Sequence, residues 1–433
     1  MKKVVKLTMS LLLVSALATS SFANGLSLNS LGPRALGMGG AFVGLANDAT
    51  AIYWNPAGLA GQRNSLNFFF TGIMPLGSYS YAPAGINAES KSQLFPTGGL
   101  MATYQMDKLT FGFGVYVPAG LGIAWDLADY GVPSSADLEL ATEVGAINIS
   151  PAIAYQVNDQ FSIGLAVNIV YGMFNIKQQV VEDVTGDGVP EFFQFEEDSD
   201  GFGFGATLGL QYKFSEKLQA GASFRLASTV AMSGTAENPM FASLPTIPPG
   251  MHPDYPNGLA PFSKESEFER DVTWPIWIGG GIAYKPTKCL TIVVDAQYSQ
   301  WSELDILVAN YDDANWEAAL SAAGENEFKL EWDDAVMIRL GGEYMISPAT
   351  AIRLGYYYDP APAPDETLNV LFPSSTNHVG TLGFGHSFGN YRVDAALEYL
   401  FGADREIEPS GHNQPGIHHL DVFAFSLGLN YGL

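Results

Sequence analysis

Apolar and polar residues alternate with a period of two through much of this chain. In LTIVVDAQYSQW, residues 290–301, Leu290, Ile292, Val294, Ala296 and Tyr298 fall on one face of an extended strand, opposite Thr291, Asp295, Gln297 and Ser299. YRVDAALEYLF sets Tyr391, Val393, Ala395, Leu397, Tyr399 and Phe401 against Arg392, Asp394 and Glu398. FSIGLAVNIVYG and the final DVFAFSLGLNYGL repeat the pattern. Each such segment is about ten residues long, the length a tilted strand needs to cross a bilayer.

The connections separate a membrane barrel from a soluble sandwich. Short turns are predicted at Asp107-Lys108, Asn158-Asp159, Ser215-Glu216, Pro286-Thr287, Ser347-Pro348 and Gly389-Asn390. Between them lie long segments near 73–94, 118–143, 179–200, 233–270, 302–327, 360–376 and 403–417. Short and long connections alternate without a break, so six turns and seven loops join 14 strands. The even number, with both ends on the short-turn side, predicts an all-β transmembrane antiparallel β-barrel with periplasmic turns and extracellular loops. Closure pairs every backbone group within the wall, as lipid requires.

The first 23 residues read differently: MKK, then an apolar run, then Ser21-Phe22-Ala23, the pattern of a secretory signal peptide. No later stretch is long and apolar enough for a membrane helix, and the single cysteine, Cys289, excludes an intrachain disulfide. The 20 basic residues less Lys2, Lys3 and Lys6 leave 17 against 45 acids, a net charge of −28. That balance argues against nucleic acid as a partner. The expected organisation is signal peptide 1–23, a plugging N-terminal segment 24–63 and a barrel 64–433, with bacterial outer-membrane localisation.

A barrel of this size is too wide for its own inward side chains to fill. Residues 24–63 are rich in Gly and Ala and suit a compact insert. Asp48 is placed to cap one short helical turn, and Asn55 the next, with Pro56 at its first position where a missing N–H costs nothing. Here LGPRALGMGGAFVGLANDATAIYWNPAGLA resembles the N-terminal hatch of the FadL family of outer-membrane transporters for long-chain fatty acids and aromatic hydrocarbons. The matching residues are Asp48-Ala49-Thr50-Ala51 and Asn55-Pro56-Ala57-Gly58. SPAIAYQVNDQFSIGLAV (150–167), DAQYSQWSEL (295–304) and residues 332–366 are similar to later strands of that family, so the likeness covers nearly the whole mature chain. The ending Asn-Tyr-Gly-Leu departs from the family's terminal aromatic, though Phe425 and Tyr431 keep the aromatic face.

The resemblance implies passive uptake of an apolar ligand, long-chain fatty acids in the first place, with neutral aromatic or aliphatic hydrocarbons as the alternative. It also implies capture outside, binding in the lumen and sideways release through a kink in the third strand. That strand is LTFGFGVYV, 109–117, where Gly112, Gly114 and Pro118 permit a kink, or give room to the plug. Capture candidates on the long loops are Met240, Phe241, Leu244, Ile247, Met251, Phe262 and Trp316, which form either a groove or a cap packed on itself. Alternation turns Arg225, Arg339, Arg353 and Arg392 inward as carboxylate partners, unless Glu343, Asp394 or Glu398 pairs with them; with none free, a neutral ligand is favoured.

Asp183 to Gly188 resembles the start of a calcium loop, but Gln194 stands where a bidentate Glu is needed. His412, His418 and His419 share one polar loop with no ligand set, so no metal and no cofactor are expected. The expected partners are a hydrophobic small molecule and outer-membrane lipid, for a monomeric chain. The rival classes are an outer-membrane hydrolase, for which the six His lack a partner motif, and an open hydrophilic porin, which a plug contradicts.

Overall fold

The computed structural model describes residues 25–132, 138–184, 187–244 and 261–433. The signal-peptide segment and the capture candidates Ile247 and Met251 lie outside them. Fourteen antiparallel strands close into a barrel among the described residues. They are β1 Ser65–Tyr81, β2 Phe95–Met106, β3 Leu109–Trp125, β4 Leu140–Gln156, β5 Phe161–Glu182, β6 Glu191–Ser215 and β7 Leu218–Arg225 continued by Ser228–Glu237. The second half comprises β8 Glu265–Trp274 continued by Trp277–Tyr284, β9 Leu290–Ser299, β10 Ala335–Ser347, β11 Thr350–Asp359, β12 Asn377–Phe388, β13 Tyr391–Gly402 and β14 Gly416–Gly432. Closure is made by β1 against β14, in register from Ser65↔Gly432 to Ser80↔Ile417. Every turn predicted from sequence joins two strands of the wall.

The alternation sorts side chains as lipid demands. Leu66, Phe68, Leu100, Phe111, Phe113, Leu165, Leu208, Ile278 and Leu354 are exposed on the outer face. Tyr104, Tyr155, Tyr212, Tyr284, Tyr344 and Tyr391, all exposed, ring the end that carries the short turns, as an interfacial aromatic girdle does. Several strands run past the lipid-crossing length. β3 continues to Trp125, eight residues beyond its predicted end, and β5 and β6 are paired from Phe161↔Tyr212 out to Glu182↔Glu191.

The chain from Gly25 to about Arg63 lies inside the barrel, almost wholly buried. It forms the helical turns Pro33–Leu36, Ala51–Trp54 and Pro56–Leu59 and carries an apolar cluster of Ala35, Phe42, Ile52, Trp54 and Leu59 against the wall's Phe69, Met101 and Trp277. Gly39 needs its missing side chain here: its φ is +62°, and a Cβ would stand 2.9 Å from the backbone nitrogen of Tyr356.

Candidate functional site: a plugged lumen with a break in its wall

Three anchors hold the N-terminal segment. Asn55 is the first: its side-chain oxygen accepts from the Ala57 N–H at 3.2 Å, capping Pro56–Leu59. The Asn55 amide nitrogen donates to Val43 O at 3.1 Å within the segment and to Leu210 O at 3.0 Å in β6. Gly58 follows in that turn, packed on Ala46. The second anchor is Asp295 of β9, whose carboxylate accepts the N–H groups of Val43 (2.6 Å) and Gly44 (3.2 Å). The third is ionic. Arg34 donates to both Glu343 oxygens, at 3.0 and 2.8 Å, and stands 3.5 Å from Asp48, which also accepts the Thr50 N–H at 3.0 Å. Sequence reading missed Arg34 and Asp295 as anchors; Asp295 shares its inward face with the polar Thr291, Gln297 and Ser299 and does not stand out there.

The four arginine candidates do face inward, and each is occupied. Arg225 donates to Tyr53 O at 2.8 Å and lies over the Tyr53 and Trp277 rings. Arg339 donates to Gly39 O and to Gln297, both at 3.2 Å. Arg353 pairs with Glu343 and Asp394 at 2.8 Å each, and Arg392 with the same two acids at 3.5 and 3.0 Å. They belong to the anchoring of the segment and the lower wall. Arg270, not foreseen, is buried on β8 with Glu197 at 2.8 Å, inside a cage of Phe174, Phe268 and Phe328.

Above the N-terminal segment lies a cavity of about 820 Å³, within the range of small-molecule sites. Its floor includes Ser27, Leu28 and Leu36, and its inner wall Thr71, Leu400 and Ala424. Residues 360–376 drop into the barrel as its roof, with Leu368, Val370, Leu371 and Phe372 buried in the apolar cluster of the upper lumen. Trp125 Nε1 donates to Val370 O at 3.0 Å, and Phe372 lies 6.2 Å from the Phe174 ring. The signal for this insertion was the apolar run LNVLF inside an otherwise polar, proline-rich loop.

The cavity reaches through the wall. Outward-facing Tyr171 and Met173 line it together with the inward residues above. The reason lies in β3. Its ladder with β2 ends at Gly99↔Tyr116, and its ladder with β4 slips between Tyr116 and Ala119. Beyond that bulge, β2 continues to Phe95 paired with β1 alone. The freed β3 edge is taken instead by the N-terminal segment: Leu28 N–H donates to Pro118 O at 3.0 Å, Gly120 N–H to Leu26 O at 2.9 Å, and Ser27 is bridged to Ala119.

This placement corrects two expectations. Gly112 and Gly114 are paired on both sides, with Thr103 and Ala152, and with Met101 and Ser150, so they do not border the break. Gly112 makes room for the plug, since a Cβ there would meet Leu59 at 2.9 Å and Ile52 at 3.1 Å. Pro118 sits at the break, and Gly120 and Gly122 beyond it, in what sequence assigned to a loop. The loop aromatics are also not an open groove where described. Phe241 and Trp316 are buried edge to face at 4.8 Å, Phe262 stacks on Phe241 at 4.7 Å, and Met240, Leu244 and Leu320 pack around them. Apolar side chains on a wet surface gain by covering one another.

The remaining candidates have local partners. The Asp183 carboxylate accepts the N–H groups of Asp187 (3.2 Å) and Gly188 (2.8 Å), and Gln194 is bonded to Glu139. His418 meets Gln414 O at 2.7 Å, His419 lies between Asp404 and Asp421, and His412 is exposed. Among the described residues no group of three His, Cys, Asp or Glu is placed to hold a metal.

Comparison with known proteins agrees with this architecture. The family described as outer membrane protein transport protein (OMPP1/FadL/TodX) matches residues 14–431. One outer membrane protein P1 of Haemophilus influenzae is 23% identical over 68% of this chain and 63% of its own length; another is 22% identical over 92% and 90%. A long-chain fatty acid transport protein of Escherichia coli is 21% identical over 90% of this chain and 89% of its own. Among solved structures, a Pseudomonas aeruginosa FadL homologue shares the fold with a TM-score of 0.76 at 17% identity, covering 94% of this chain and 99% of that one. The P. putida toluene transporter TodX does so at 0.69 and 15%, over 93% and 98%. The chain belongs to the OMPP1/FadL/TodX family of bacterial outer-membrane β-barrels that transport hydrophobic compounds.

Proposed function

We propose that this chain takes up hydrophobic molecules passively, holding them in the cavity above the N-terminal hatch and releasing them sideways into the membrane between β2 and β3. The observation that carries this reading is the cavity's double lining, by inward Leu400 and outward-facing Met173, beside the edge that β3 withdraws from β2. A lateral path spares an apolar ligand from re-entering water, at about 0.8 kcal/mol per CH₂. The segment Leu26–Leu28 borders that path and must shift for a bulky ligand to pass.

The lining favours a neutral hydrocarbon over a fatty-acid carboxylate. Two buried acids, Asp359 and Glu398, border the cavity from within and four, Glu143, Glu196, Asp198 and Asp200, from the outward face of β4 and β6, against one base, Lys177, already 2.9 Å from Glu139 and 3.6 Å from Glu196. A carboxylate brought among like charges is pushed toward its neutral form. The long-chain fatty acid transport protein and the toluene transporter among its relatives supply both ligand classes as precedents. The test is uptake of labelled toluene, a labelled alkane and labelled oleate by cells with and without the protein. Protein-dependent entry of the neutral compounds supports the reading, and entry of oleate alone returns the ligand to the fatty acids.

A further inference from the structure

A second apolar concavity, of about 550 Å³, lies on the outside of the barrel, across β4 to β8. Its walls are the exposed side chains of Ile153, Ile163, Leu165, Leu208, Leu210 and Ile278. Its floor includes the backbone of Gly164, Gly209 and Gly279. On the inner side these same glycines meet the N-terminal segment: a Cβ on Gly164 would collide with Pro56, one on Gly209 with Asn55, and one on Gly279 would stand 3.1 Å from Val43. The plug thus draws the wall inward, and the lipid face is hollowed behind it.

The hollow's position defines what meets it. It lies at the short-turn end, with Tyr155 of the aromatic girdle at its edge. That end faces the periplasm, so the hollow opens to the acyl region of the inner, phospholipid leaflet. The rim below is basic on balance, five lysines against the three acids Asp107, Asp159 and Glu216 of the same turns. Of nine lysines beyond residue 24, five, Lys108, Lys213, Lys217, Lys285 and Lys288, stand at the short-turn ends of β3, β6, β7, β8 and β9. Their turns adjoin: Gln156 N–H donates to Lys108 O at 2.8 Å, Lys213 N–H to Gln160 O at 2.8 Å, and Lys285 N–H to Lys217 O at 2.7 Å. Among the described residues none of these five makes an ion pair, whereas three of the four at the opposite end, Lys177, Lys264 and Lys329 but not Lys91, do. On a chain of net charge −25 this is a localised exception.

We propose that this hollow is a site for one anionic phospholipid of the inner leaflet, an acyl chain lying in the apolar concavity and the phosphate meeting the lysine rim. The occupant follows from the two features together: an apolar trough open to lipid, and positive charge at headgroup height. The site is separate from the transport cavity, which opens at β2–β3.

Native mass spectrometry on the delipidated full chain in detergent tests it, with phosphatidylglycerol and phosphatidylcholine as probes. The wild type should retain one phosphatidylglycerol at a concentration about tenfold below that needed for phosphatidylcholine. Ala222→Phe, and independently Ile278→Trp, fill the trough from the lipid side and should abolish that retained molecule. Lys213→Gln/Lys217→Gln/Lys285→Gln should erase the headgroup preference while leaving weak retention of both lipids. Heat-modifiable mobility verifies the barrel in each variant. Equal retention by the wild type and both trough variants means annular lipid only and overturns the site. Equal retention of the two lipids by the wild type overturns its anionic specificity.

Discussion

Ser27 pairs with Ala119: the N-terminal segment occupies the β3 edge that β2 leaves at Tyr116. The contact is held by two backbone hydrogen bonds, Leu28 N–H to Pro118 O and Gly120 N–H to Leu26 O. Leu28→Pro removes one donor, at a cost of about 1 kcal/mol, without touching the barrel ladder. The expected result is faster hydrocarbon entry and a small rise in planar-bilayer conductance, with heat-modifiable mobility unchanged.

The second prediction concerns Asn55. Its side chain bonds Val43, Leu210 and Ala57 at once. Asn55→Ala with Pro56→Ala leaves buried backbone groups unpaired, each costing about 1–3 kcal/mol. Hydrogen exchange across residues 25–63 should accelerate and ion leak should increase, while the barrel strands stay protected. Exchange equal to wild type would contradict the anchoring role.

Glu343 is shared by Arg34, Arg353 and Arg392. Glu343→Gln strands buried guanidinium groups, and removing one partner of such a set costs about 3–5 kcal/mol. A lowered denaturation midpoint is expected, with the largest loss of exchange protection around Arg34.

Glycines in β3 separate the route from the packing. Gly120 has only Val144 O nearby, at 3.7 Å from a Cβ, so Gly120→Leu obstructs the break without a clash. Equilibrium ligand binding should remain and cellular uptake should fall. Gly112→Leu overpacks Ile52 and Leu59 at about 1–3 kcal/mol, and should lower folded yield and binding together. Normal uptake in Gly120→Leu would move the exit elsewhere.

The barrel was legible because the part of its wall next to the short turns obeys one rule, apolar out and mixed in. Legibility failed where a second rule intervenes. β5 and β6 run on through an acidic stretch in which Asp198 and Asp200 face outward and Glu197 inward to Arg270, so the outer face there is no longer apolar. β3 seemed to stop at Pro118, since a proline cannot donate to a ladder; at that position its carbonyl, not its nitrogen, makes the bond. The roof formed by Leu368 to Phe372 depends on contacts with Trp125 and Phe174, far along the chain and invisible to local periodicity. The Asn55 cap, by contrast, is a local interaction and could be read from Asn-Pro-Ala-Gly alone.

The most direct test of lateral release is a reversible lock at Ser27 and Ala119. Directly opposed antiparallel residues stand within disulfide reach, so Ser27→Cys/Ala119→Cys, with Cys289→Ser to remove the native thiol, can tie the segment to β3. Uptake of a labelled neutral hydrocarbon is then measured in cells expressing the oxidised and the reduced form. With the lock closed, uptake should fall to the level of cells lacking the protein and recover on reduction; equal uptake in both states, with the disulfide verified, would contradict lateral release at this edge.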